Sequence, residues 1–158
     1  MQIDRRLFLL SAASSLYAGP LVTFSEREAK ILEALAEQIV PADDAPGATQ
    51  AGVVFYIDKQ LHGPLKRFAA TYQRSIPLFE KFCNDRTGKD FTSLPFAEQT
   101  ALLKIVESKV NPELASFFTT FTDHVMQGYY GSPAHGGNRD EASWKMLQIQ
   151  DVMGGHKH

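Results

Sequence analysis

The sequence predicts an all-α fold, a small irregular bundle of about five to six helices behind an N-terminal signal segment. Apolar residues recur at helical spacing along most of residues 26–147, and no segment alternates apolar with polar residues as a half-buried strand would. Helix start and stop signals punctuate those stretches. The chain has 158 residues, which predicts one domain over residues 21–158. A chain of this size buries about 70% of its extended surface, so it needs no disulfide or metal to fold.

The first helix starts at Ser25, the expected N-cap, with Glu28 as capping-box partner. Ile31, Leu32, Leu35 and Ile39 share one face, and Pro41 stops the helix. Pro41 to Gly47 reads as a turn-rich loop. A second helix is predicted over Thr49–Leu61, although Val53 to Ile57 is a β-prone run. Gly63 and Pro64 end it. A third helix is expected from near Pro64 to about Asn84, kinked or broken at Pro77. A fourth is predicted over Phe96–Val110, with Leu102, Leu103, Val106 and Val110 inward. Asn111 and Pro112 then supply an N-cap and an N1 proline. This fifth helix carries Leu114, Phe117, Phe118, Phe121 and Val125 and should end near Gly128. A short last helix through Trp144 and Leu147 follows, with Asp140 as its expected cap.

Composition excludes several classes of function. Lys and Arg number 16 against 18 Asp and Glu, without the basic excess of a nucleic-acid binder. Cys83 is the lone cysteine, so no internal disulfide framework and no CxxC or CxxCH centre is present. It reads as a packing residue near Phe79 and Phe82. No run of 18 apolar residues predicts a transmembrane helix.

Residues 1–20 read as an export signal. Arg5-Arg6 directly precedes Leu7-Phe8-Leu9, and the apolar run to Gly19 has the length of a signal core. Paired arginines with Phe8 in this place resemble a twin-arginine signal, which predicts a periplasmic protein. Ala13-Ser14-Ser15 is the nearest small-x-small cleavage site.

Two loops hold the charged groups that could carry chemistry. Gly136-Gly137-Asn138-Arg139-Asp140 lies between two helices, and Arg139 is a planar fork suited to carboxylates, phosphates or carbonyls. It reads as a recognition loop, as a structural connector, or as both. Asp43 and Asp44 could hold a cation or exchange protons, but in a Pro-Gly loop they read first as solvated turn residues. His124 and His135 lack the further ligand that a metal site needs. No serine or cysteine lies in a nucleophile elbow. No catalytic, cofactor-binding or metal-binding residue is therefore assigned. Asn138, Arg139, Asp140, Trp144, Asp43 and Asp44 are the candidates for contact with a partner chain, supported by the aromatic-rich last third.

Three segments carry a family resemblance. Ile39-Val40-Pro41-Ala42-Asp43-Asp44-Ala45-Pro46-Gly47-Ala48 is similar to an I-x-P-A-D-x-x-P-G-A stretch. The helix Ala51-Gly52-Val53 to Ile57-Asp58 and Leu61 is similar to A-G-V…F-I-D…L. Gly136 to Asp140 with Trp144-Lys145 is similar to Y-G-G-N-R-D-x-x-G-W-K. The sequence thereby resembles the gluconate 2-dehydrogenase subunit 3 family. His135 replaces the tyrosine of that signature, Ser143 replaces its glycine before Trp144, and Gln148 to Asp151 replaces a closing I-G-Y-P-G. The resemblance implies the non-catalytic small subunit of a periplasmic dehydrogenase complex. Its partner would be an FAD-containing flavoprotein that oxidises a sugar or sugar acid, and a cytochrome c subunit often passes the electrons on. The small chain would aid export, assembly and stability of that flavoprotein, binding no cofactor itself and meeting the membrane only through a partner or an uncleaved signal. The competing expectation is a stand-alone periplasmic enzyme or binding module that uses Asp43, Asp44 or His135.

Overall fold

The structure, a computed structural model, describes residues 19–149. The export-signal reading of Arg5, Arg6 and Phe8, and the tail from Gln150, lie outside them. Six α-helices and no strands occur among the described residues.

Helix α1, Glu26–Ile39, opens with the capping box read from the sequence, as Ser25 accepts from the Glu28 amide and Glu28 accepts from the Ser25 amide. Helix α2, Val53–Leu61, starts four residues later than expected. Gly52 has φ +71°, a left-handed geometry that an α-helix cannot contain, so Thr49–Gly52 turns instead. The β-prone run at its start is helical because Val53, Val54 and Ile57 are buried on one side. A 3-10 turn at Lys66–Phe68 leads into helix α3, Ala69–Thr87.

Helix α3 runs continuously through Pro77, so of the kink or break expected there the break does not occur. Pro77 and Gln73 are both exposed, so the Gln73 carbonyl that loses its donor faces water. Ile76 and Phe79 on the opposite side are buried and hold both halves to the core. Helix α4, Phe96–Glu107, ends before Val110. Lys109 turns the chain at φ +62°, which leaves Val110 60% exposed instead of inward. Helix α5, Pro112–Tyr130, is capped by Asn111 as the sequence indicates and runs two residues past Gly128. Helix α6, Ala142–Met146, is a single short turn and a half.

Helix α5 is the axis of the bundle and touches each of the other five helices. Tyr72 of α3 lies at the centre with no exposed surface. Its ring meets Phe24, Phe117 and Phe121 at centroid separations of 5.6, 5.2 and 6.3 Å. Such tilted and edge-on pairs contribute about 0.5–1.5 kcal/mol each beyond area burial. The Tyr72 hydroxyl shares a 2.8 Å hydrogen bond with Nδ1 of buried His124. Burial holds that imidazole below its ordinary pKa of 6.5, and Arg67 acts in the same direction while Asp123 opposes it. Cys83 is buried, and its thiol donates to the Lys89 carbonyl at 3.3 Å.

Candidate functional site

The three sequence segments that carry the family resemblance converge at one end of α5. Each is braced there by a different side chain.

Glu37, in the last turn of α1, braces the loop of residues 41–48. Its Oε1 accepts from the Ala42 amide at 2.8 Å and its Oε2 from the Thr49 amide at 3.1 Å. The Tyr129 hydroxyl of α5 donates to the Pro46 carbonyl at 2.6 Å. A side chain at Gly47 would collide with the Glu37 carboxylate. Asp43 and Asp44 remain exposed on this loop. Asp43 accepts from the Ala45 amide at 2.9 Å, the local turn bond typical of aspartate.

Asp58 of α2 braces the entering chain. It is 2% exposed. Oδ2 accepts from the Val22 amide at 2.7 Å, and Oδ1 accepts from Thr23 and Phe24 at 2.9 and 2.8 Å. Its carbonyl accepts from the Thr23 hydroxyl at 2.8 Å. A buried carboxylate is tolerated only when so satisfied. Asp58 was not among the site residues read from the sequence. Its signal was an acid on the helical stripe of Val54 and Leu61, where only a partnered carboxylate can sit.

Asn138 braces the glycine-rich loop and has no exposed surface. Its Nδ2 donates to the Gly131 carbonyl at 2.9 Å, while its Oδ1 accepts from the Ser143 amide and hydroxyl, each at 2.9 Å. Ser143, which replaces the family's glycine, thus adds a hydrogen bond where a glycine could not. Gly137 lies against the Gly128 carbonyl, with no space for a β-carbon. Gly128 also faces the Tyr56 ring, so the loop meets α5 backbone to backbone and α2 packs its Tyr56 side chain on the same glycine.

Asp140 does not cap α6. It and Glu141 have φ of +57° and +58°, whereas an N-cap residue needs extended backbone. The cap-like role belongs to Asn138, which receives the Ser143 amide from five residues upstream. Asn138 is itself left-handed, at φ +44°. Three non-glycine residues in this region within four positions store roughly 1–2 kcal/mol of strain each.

That strain places Arg139. Its amide donates to the Ala51 carbonyl at 3.0 Å. Its guanidinium lies against Gly52 and 5.7 Å from the centre of the Phe55 ring. Left-handed Gly52 is required here twice, by its own φ and because a β-carbon would meet the guanidinium. Glu33 of α1 feels the Arg139 charge, although burial is the larger influence and raises its pKa. Trp144 donates from Nε1 to the Tyr130 carbonyl at 3.0 Å, beside the same end of α5. His135 is exposed on a 3-10 turn. Among the described residues, no three His, Cys, Asp or Glu side chains are grouped to hold a metal.

The site therefore unites Asn138 and Arg139 with Gly52 and Phe55, residues more than eighty positions apart. It assigns Asn138 to locking the loop, leaves Asp140 exposed at its edge, and keeps Asp43 and Asp44 as turn residues. A search of curated proteins and one of solved structures each returned no match. The model of the family described as gluconate 2-dehydrogenase subunit 3 matches residues 26–150, and the chain belongs to that family of small subunits of a dehydrogenase complex.

Proposed function

We propose that this chain is the non-catalytic small subunit of a periplasmic, FAD-dependent sugar or sugar-acid dehydrogenase, and that it exports, assembles and stabilises the flavoprotein subunit. One observation carries the reading. The residues of the matching segments are spent on bracing one surface: Asn138 and Gly137 fix the loop, Gly52 admits the guanidinium, and Asp58 fastens the chain that follows the signal segment. Arginine presented by a rigid scaffold suits recognition of another chain.

Co-expression with a candidate flavoprotein dehydrogenase from the same genome tests this. The small chain should co-purify a yellow chain with flavin absorbance, and should itself show no dehydrogenase activity. Replacing Arg5 and Arg6 together by lysine should leave both chains in the cytoplasm, because charge is kept while the guanidinium pair is lost. Activity of the purified small chain alone would instead favour the stand-alone enzyme.

A further inference from the structure

An open groove of about 490 Å³ runs beside the glycine-rich loop. Its walls are the entering chain at Pro20 and Val22, helix α2 at Phe55 and Lys59, and the turn from Pro133 to Arg139. The lining is apolar where Pro20, Val22, Phe55 and Pro133 meet, and Val22 is 59% exposed there. Arg139 and Lys59 bring two positive charges.

Neither charge is matched from within. Among the described residues, no carboxylate lies within 4.0 Å of Arg139 or Lys59. Asp58 also lines the groove, but both of its oxygens already receive backbone amides. Asp140 stands exposed at the groove's edge and pairs with neither cation. Glu33 feels Arg139 from beyond ion-pair distance. Arg139 is half-buried, and its guanidinium lies over Phe55 and gives no side-chain hydrogen bond to a described residue. None of its nitrogens is both shut off from water and unpartnered, so the fork is hydrated and its donors stand open to an acceptor from outside the chain.

We propose that this groove seats an extended segment of the flavoprotein subunit carrying an aspartate or glutamate. Arg139 receives the carboxylate through paired N–H donors, and Lys59 adds a second positive charge from the next turn of α2. Apolar side chains flanking the acid cover Val22 and Phe55. Charge complementarity selects this occupant, since an uncharged apolar peptide would bury the guanidinium without an acceptor. The inference rests on the flavoprotein being the partner.

The test uses the full-length small chain and its flavoprotein, with affinity measured by interferometry. Arg139→Gln should weaken binding about tenfold or more, and Lys59→Gln severalfold. Arg139→Lys should recover part of the loss, because it keeps the charge and loses the fork. Binding of the wild-type pair should weaken as salt rises, and the dependence should flatten in Lys59→Gln. Circular dichroism establishes that each variant is folded. Lys59 is exposed on a helix, so it and Arg139→Lys decide the matter if Arg139→Gln does not fold. A wild-type complex matched within twofold by these variants overturns the groove and leaves the partner reading standing. No flavin-containing complex with the wild-type chain overturns both.

Discussion

Removing the Asp58 carboxylate should loosen the entering chain without disturbing the helices. The Phe24 amide is buried, and an unsatisfied buried donor costs about 1–3 kcal/mol. The Val22 and Thr23 amides are only half-buried, so water replaces part of their bonds and each loses about 0.5–1 kcal/mol. Asp58→Ala should therefore cost about 3–4 kcal/mol. At about 3 °C per kcal/mol for a domain of this size, melting falls by about 10 °C. Asp58→Asn is the sharper probe. Its carbonyl can keep Thr23 and Phe24, which share Oδ1, while its amino group faces the Val22 amide donor to donor. It should lose about 1–2 kcal/mol, midway between wild type and alanine. Thermal unfolding by circular dichroism gives the order, and hydrogen exchange at residues 22–24 gives the place. An alanine variant within 1 kcal/mol of wild type, with unchanged exchange, would refute the reasoning.

Ser75→Ala should stabilise the chain by about 1 kcal/mol, read as a raised urea midpoint, because its buried hydroxyl has no hydrogen-bond partner among the described residues. Burial holds His124 below its ordinary pKa of 6.5, so as pH falls below that value the unfolded chain takes up the proton more readily than the folded one. Stability should therefore hold above that value and fall as the pH is lowered below it; His124→Gln should flatten that slope in denaturation curves. Asn138→Ala should cost about 2–4 kcal/mol, whereas Asp140→Gly should raise stability by about 0.5–1 kcal/mol, since glycine adopts φ +57° freely; a loss on Asp140→Gly would restore the capping role.

Much of the fold was legible because short-range chemistry dictates it. Ser25 with Glu28 and Asn111 with Pro112 satisfy orphan amides from within three residues, and both caps form as read. Pro77 misled because its cost depends on which side of α3 it occupies, a tertiary fact, and on the exposed side water takes the freed carbonyl. Thr49–Gly52 misled because a glycine allows a helix and a left-handed turn alike, and nothing within the segment tells the two apart. The site was legible in part. Asn138 and Arg139 stood out as polar residues after two glycines, but their division into a buried brace and a presented fork follows from packing on Gly128 and Ala51. Asp140 looked like a cap by spacing alone, and its backbone angles forbid it. Asp58 was hidden in an apolar helix because its three partners are backbone amides, which have no sequence signature.

Trp144 is the chain's single tryptophan, and its indole N–H bonds the Tyr130 carbonyl at the far end of α5. Intrinsic emission excited at the tryptophan band is therefore a local spectroscopic probe. It reports whether the short α6 turn sits on α5, while the Tyr72 aromatic cluster is silent in that channel. A fluorescence transition that precedes the loss of helical ellipticity would reveal the C-terminal turn leaving as a separate unit. Quenching or a spectral shift on addition of a binding partner would time the encounter at this end of the molecule, with no label attached.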